Sequence, residues 1–281
     1  MEYQIVNAFS QANTGGNPAA VVVNGVLSQA DKQELVKKIG FSETAFINEV
    51  NGNLSIEFFT PEKPIPYCGH ATIASVNVLK QKGILSPGSY LLKTRLNPIT
   101  VHVDENEVYM QQQFPSFTAV KREAAARLLN LETPRVQQLV VADNGVRFLL
   151  VELAKAETLA AVEPDMDAIY EYSKTHDLVG VYVFVQDKYQ LLSRMFAPYY
   201  GIPEENATGM AAGLLAGWMH ERSRGVINKL SIEQGNASSM PAPGYLHTFV
   251  KKDNGKYVVL VGGEATILET VDVGDGNEYV A

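Results

Sequence analysis

Apolar positions in this chain fall mostly in short alternating or continuous runs, and only a few stretches repeat at helical spacing. The pattern predicts many strands and few helices. Residues 3 to 9 alternate weakly and read as a strand, and Ala19 to Val23 reads as a buried one. Ser28, with Asp31 three positions on, starts a helix whose apolar Leu35 and Ile39 lie one turn apart, and Gly40 stops it. The strand that begins within Phe41–Asn48 pairs with Leu54–Phe59 across Asn51-Gly52-Asn53, a hairpin signal. Residues 90 to 96, 99 to 104 and 107 to 114 form a meander, and Pro115-Ser116 is the expected domain boundary. Residues 121 to 130 read as a helix, and two strands flank Asp143-Asn-Gly145. The helix from Asp165 to Thr175 is expected to turn Met166, Ile169 and Tyr170 inward. Strands at 179 to 186, 189 to 196, 227 to 233, 245 to 252 and 256 to 262 complete the pattern.

Two stretches stand out because small residues occur at helical spacing directly after proline-rich loops. The first runs from Phe58 through Pro61, Pro64, Pro66 and Cys68-Gly-His70 into the apolar Ala71–Leu79. The second runs from Arg194 through Pro198 and Pro203 into Ala207-Thr-Gly-Met-Ala-Ala-Gly-Leu214. Phe59-Thr-Pro61 matches Phe196-Ala-Pro198, and Ala71-Thr72 matches Ala207-Thr208. Duplication is one account of the match and chance is the other. Under duplication, two domains each offer a helix N-terminus, with free N–H groups and a partial positive charge suited to a carboxylate or phosphate. Gly209, Gly213 and Gly217 fall on one helix face, expected to pack on the Ala71, Ala74, Ser75 and Val78 face of the first helix.

Composition narrows the function classes. At 281 residues two domains is a fair expectation, and the charge of −8 argues against nucleic acid or an anionic membrane as main partner. The single cysteine, Cys68, rules out an intramolecular disulfide and fits a reducing compartment. The N-terminus lacks a basic then apolar signal region, and no run approaches a membrane span, so a cytoplasmic protein is expected.

The residues offer few chemistries. Asn13-Thr-Gly-Gly-Asn-Pro18 is a turn and not a phosphate loop, since no Lys-Ser or Lys-Thr follows. No dinucleotide fingerprint is present and nothing singles out a lysine for a Schiff base. Cys68 and His70 stand two apart without a second cysteine, and His102, His176, His220 and His247 lack zinc-site spacing, so no metal is expected. A Cys68–His70 nucleophile pair is disfavoured, because neighbours two apart at a helix start rarely point at each other, and Cys68 reads as structural. Glu43 stands at the start of an apolar strand, as a sheet-edge gatekeeper or cap, or as an acid facing a pocket with its pKa raised by burial. Glu205 is a helix-dipole partner or cap, or a second polar group of a site. Acids with a histidine and anion-holding backbone suit proton transfer beside a carboxylate.

Six motifs in order complete the picture: Gly16-Asn-Pro-Ala-Ala-Val21, Ser42-Glu-Thr-Ala-Phe46, Phe59-Thr-Pro61, Cys68-Gly-His-Ala-Thr72, Glu205-Asn-Ala-Thr-Gly209 and Glu233-Gln-Gly235. Over residues 3 to 270 the chain resembles the PhzF-like, or phenazine biosynthesis-like, isomerases, related in fold to diaminopimelate epimerase. The resemblance implies an α+β fold of two similar domains, residues 1–116 and 117–281, each a curled, mostly antiparallel sheet around a central helix. It leaves room for the C-terminal end to pack back on the first domain. It also implies cofactor-free isomerisation of a small carboxylate between the domains, and a homodimer. Glu43 matches the family's catalytic acid/base and His70 its site histidine. Glu205 stands as a further catalytic group, with Asn17, Gly69, Thr208, Gly209 and Met210 on the substrate. The family often has Asp at Glu205, Ser at Met210, and an Arg in the loop where Ser239–Gly244 has none. An epimerase or racemase is the rival enzyme, although two-thiol chemistry is impossible with one cysteine, and a binding protein without activity is the rival of another class.

Overall fold

The computed structural model describes residues 1–187, 190–235 and 242–273. The chain divides into two compact units, Met1–Gln111 with Gly262–Ala281, and Gln112–Val261.

The first unit is built from β1 (Glu2–Ser10), β2 (Asn17–Val23), α1 (Gln29–Ile39), β3 (Thr44–Val50), β4 (Asn53–Phe59), β5 (Pro64–Ile65), α2 (Gly69–Gln81), β6 (Gly88–Lys93), β7 (Ile99–Val103) and most of β8 (Val108–Gln113). Ser28 accepts from Asp31 N–H at 3.2 Å and caps α1, and Gly40 ends it at φ 79° with its N–H on Val36 C=O. Asn51 and Gly52 both take positive φ, 53° and 80°, which closes the β3–β4 hairpin. Side chains alternate across β1 and β2. Ile5, Ala20 and Val22 join Leu35, Val36 and Ile39 of α1 in one core layer, and the alternate residues Val6, Ala19 and Val21, all fully buried, face the other way. Helix α2 packs on β1, β2 and β3.

Every residue of α2 from His70 to Leu79 is buried. Small side chains let a helix sink this deeply, and its polar ones bond locally. Thr72 Oγ1 donates to Cys68 C=O and Ser75 Oγ to Ala71 C=O, both at 2.7 Å.

The second unit contains β9 (Ser116–Ala119), α3 (Arg122–Leu128), β10 (Val136–Asp143), β11 (Arg147–Leu153), α4 (Ala156–Ala160), α5 (Met166–His176), β12 (Gly180–Asp187), β13 (Gln190–Ala197), β14 (Ile202–Glu205), α6 (Gly209–Arg222), β15 (Lys229–Gln234), β16 (Gly244–Asp253) and the first part of β17 (Lys256–Asp272). Leu139, Val141, Leu149, Val151, Val181 and Val183 pack with Leu128 of α3 and Ile169 of α5. The alternate residues Val140, Leu150, Tyr182 and Phe184 are equally buried, and α6 packs on β10, β11, β15 and β16. No helix among the described residues is long and apolar enough to cross a membrane.

Two expectations are corrected. Tyr170 is not inward: it is 38% exposed and meets the Tyr199 ring edge-on at 5.3 Å, while Ile169 and Ser173, one turn apart, take the buried stripe. Strand β17 does not end near Gly262 but continues to Asp272, pairing antiparallel with β1 from Glu2↔Asp272 to Ser10↔Glu264. Gly262 is a close approach and not a stop, because a Cβ there would lie 2.1 Å from Val108 C=O. Two glycines of α6 are taken up within their own unit. Gly213 lies against Gln112 and Val261, and Gly217 against Pro115 and Phe117. The short α4, β9 and β14 were not foreseen, since segments of five residues or fewer carry too little periodicity.

Candidate active site

The loop between β4 and α2 and the residue before β3 bring three reactive side chains together. Parallel pairing of β2 with β3, Ala20↔Thr44, fixes the strand start, and Ala20 N–H donates to Glu43 C=O at 3.1 Å. This anchors Glu43 beside the first turn of α2. There His70 Nε2 lies 3.3 Å from Glu43 Oε2, with the two side chains 7% and 15% exposed. Asn17 Nδ2 lies 3.4 Å from His70 Nδ1. A carboxamide can serve either protonation state of the ring, donating to a bare Nδ1 or, after a half-turn, accepting from Nδ1–H. Cys68, the residue before α2, is buried, with Sγ 3.6 Å from His70 Nδ1 and 3.9 Å from Nε2. The expectation that Cys68 and His70 point apart is therefore corrected. The extended backbone of Cys68 (φ −150°) turns the thiol back over the ring. Gly69 has room for a Cβ, 3.6 Å from Met110 Cε.

The electrostatics also correct an expectation. Burial does push the Glu43 carboxyl up, but hydrogen bonding and charge from His70, with a further bond from Ser42, outweigh it, and the carboxyl sits below its ordinary value. Burial opposes the His70 imidazolium, yet Cys68 and the Glu43 carboxylate carry the ring well above its ordinary value. Burial pushes the Cys68 thiol up, against the pull of His70. Both shifts favour an ion pair between the Glu43 carboxylate and the His70 imidazolium.

The pair's effect on stability has a defined pH window. The depressed Glu43 contributes fully above its ordinary 4.5 and loses its share as pH falls through the folded value. The elevated His70 contributes fully below its ordinary 6.5 and loses its share as pH rises through the folded value. The melting-temperature difference between wild type and Glu43→Gln, measured in chelator-containing buffer, is therefore expected to peak between these two values. A difference that is flat with pH would mean the two groups do not titrate as a pair.

The second small-residue helix gathers the other expected residues. Thr208 precedes α6 and donates from Oγ1 to Glu205 Oε2 in a short hydrogen bond. Gln234, fully buried at the end of β15, ties this corner together. Its Nε2 donates to Glu205 C=O at 2.7 Å and to Thr208 Oγ1 at 2.9 Å, and its Oε1 accepts from Thr208 N–H at 3.0 Å. The Thr208 N–H thus serves Gln234, and the helix-start donors beyond it belong to Gly209, Met210 and Ala211. Gln234 was missed as a positioning residue. The only sign in the sequence was its place in Glu233-Gln-Gly235, where a polar side chain follows alternating strand positions. Of the loop expected to lack an arginine, Ser239–Gly244, residues 239–241 lie outside the described residues.

Glu43, Cys68 and His70 offer a carboxylate oxygen, a thiol sulfur and an imidazole nitrogen within 4.8 Å of one another. Spacing along the chain could not show this, because Glu43 arrives from a different strand.

Comparison with known proteins places the chain. A family model described as phenazine biosynthesis-like protein matches residues 6–271. A trans-2,3-dihydro-3-hydroxyanthranilate isomerase of Pseudomonas fluorescens is 30% identical, over 76% of this chain and 78% of that protein. An uncharacterized isomerase of Bacillus subtilis is 28% identical, over 94% of this chain and 95% of the relative. Among solved structures, the PhzF-family protein of Bacillus anthracis superposes with a TM-score of 0.86 at 22% identity, covering 97% of this chain and 98% of that one. A probable proline racemase of Agrobacterium radiobacter superposes at 0.63 and 10% identity, covering 98% and 93%, which bears on the fold alone. The fold is the epimerase-like α+β architecture, and the chain belongs to the phenazine biosynthesis-like protein family, as an isomerase.

Proposed function

We propose that the protein moves a proton between carbons of a small carboxylate substrate without a cofactor, with Glu43 as the proton carrier. The observation that supports this is the Glu43–His70 ion pair at the N-terminus of α2. A carboxylate held below its ordinary pKa is ionised at neutral pH and so in the form that can take a proton, and an adjacent imidazolium keeps it oriented. Glu43 takes a proton from one carbon, leaving its electron pair delocalised toward the substrate's unsaturated or carboxylate group. The carboxyl exchanges that proton with solvent and then delivers a proton to a second carbon, so the reaction is redox-neutral and consumes nothing. Asn17 holds the ring of His70. Gly69 lets substrate approach the first turn of α2, whose N–H groups suit a carboxylate. Glu205, Thr208, Gly209 and Met210 form the second polar group proposed to meet substrate.

Relatives named for trans-2,3-dihydro-3-hydroxyanthranilate make that compound, a ring bearing a carboxylate, the first substrate to test. Met210 places a long apolar side chain at the start of α6, which favours substrates with apolar surface there. The test is incubation in deuterium oxide with this compound, then with other carboxylates chosen by a rise in melting temperature. Solvent deuterium on carbon in the recovered product is the expected result. A carboxylate that binds and isomerises without incorporation, or a full set of binders with no exchange, would replace this reading with an internal transfer or a binding protein.

A further inference from the structure

We propose that Glu43, Cys68 and His70 form a binding site for a zinc-class divalent cation, and that an ion bound there excludes proton transfer by Glu43. The donor set is the first argument. A thiol, an imidazole and a carboxylate are the three ligand types zinc takes, and a three-ligand site leaves a fourth position for water. The spacing is the second. Tetrahedral zinc with ordinary bond lengths holds sulfur and nitrogen ligands about 3.6 Å apart, and nitrogen and oxygen ligands about 3.4 Å apart. Here Cys68 Sγ and Glu43 Oε2 lie 3.9 Å and 3.3 Å from the same ring nitrogen, His70 Nε2. All three donor atoms lie within 4.8 Å of one another, so closing around an ion needs Cys68 Sγ, now 3.6 Å from Nδ1, to swing from over the ring toward the Nε2 side, with no movement of the backbone elements that carry the three residues. Support from the surroundings is the third. Asn17 stands at His70 Nδ1 and can accept its N–H, the outer bond that orients a metal-bound histidine. Coordination deprotonates a thiol outright, and the α2 N-terminus directly after Cys68 favours the resulting thiolate. Glu43 keeps 15% of its side chain exposed, which leaves an approach for the ion.

The exclusion of proton transfer rests on the function proposed above, whereas the site does not. A cation on Glu43 Oε2 occupies the lone pair that would take the substrate proton.

The test uses Co²⁺ as a spectroscopic probe and Zn²⁺ as competitor. Cys68 is the chain's one cysteine, so thiolate-to-cobalt charge-transfer absorption can arise only from it. The expected result is such a band saturating at one Co²⁺ per chain and bleached by added Zn²⁺, which takes the same three ligand types. Cys68→Ala should abolish the band. Glu43→Gln and His70→Asn should each weaken cobalt binding by roughly 10-fold or more, the floor set by what even an outer partner of a metal ligand is worth. Absence of binding, cobalt binding without a thiolate band, or a band unchanged in both Glu43→Gln and His70→Asn would overturn the site. The wild-type spectrum decides the matter even if a variant fails to fold. Deuterium incorporation should fall in step with zinc occupancy and return with a chelator. Undiminished incorporation by zinc-loaded protein would leave the site standing and remove Glu43 from the reaction.

Discussion

Glu43→Gln should lower the rate of solvent deuterium incorporation by about 10²–10⁴, the usual worth of a positioned general acid–base group, while leaving the protein folded. The amide matches the carboxylate in size and still accepts a hydrogen bond from His70 Nε2, so the packing around α2 is kept. What it loses is the site for the travelling proton and the charge that holds the imidazolium. His70→Asn should cost less, because Glu43 would remain a base and lose only its oriented partner. Its signature is a pH profile whose acid limb moves up, as Glu43 returns toward the value that burial alone would give it. That shift separates a positioning histidine from one that shares the proton, since a ring that carried the proton would drop the plateau as far as Glu43→Gln does. The measurement is incorporation per unit time across pH for wild type and both variants, with melting curves as the check on folding. Unchanged incorporation in Glu43→Gln would make the acid structural.

Much of the fold was legible because short-range chemistry decides it. Ser28 with Asp31, Gly40 and Asn51-Gly52 each set a turn or cap through residue type alone, and Asn51 and Gly52 take φ of 53° and 80° as a tight hairpin requires. The two buried helices were legible from their small residues. Features decided by distant contacts were not. The glycines of α6 announce close approach, but what approaches is Gln112, Pro115 and Val261, supplied by segments before β9 and within β17. The sequence likewise shows Glu43 in an apolar setting, from which burial and a raised pKa follow. It cannot show that His70 brings a positive charge within 3.3 Å and reverses the sign. Gln234 was illegible for the same reason: its three bonds all cross from β15 to the corner before α6.

The largest stability loss is expected from Arg194→Met, at about 3–5 kcal/mol, the usual cost of breaking a buried ion pair from one side. Arg194 lies on β13 and is 6% exposed. Its guanidinium makes a two-pronged bond to Glu204, Nε to Oε1 at 2.8 Å and Nη2 to Oε2 at 3.0 Å. Nη1 donates to the carbonyls of Leu159 and Val162 at 3.2 and 2.8 Å, and the group lies over the Phe196 ring at 4.9 Å. One side chain thus joins β13, β14 and the end of α4. Methionine fills much of the volume but leaves the Glu204 carboxylate and two buried carbonyls without their donor. The double variant Arg194→Met/Glu204→Leu should recover most of the loss, because replacing a whole buried pair with apolar side chains is often close to neutral. Denaturant midpoints for the two single variants and the double variant give the coupling directly. Additive losses would mean that Arg194 acts through the Leu159 and Val162 carbonyls and the Phe196 ring instead of through Glu204. A large positive coupling would identify the ion pair as the link between β13 and β14, the two strands that lead the chain into Glu205 and the start of α6.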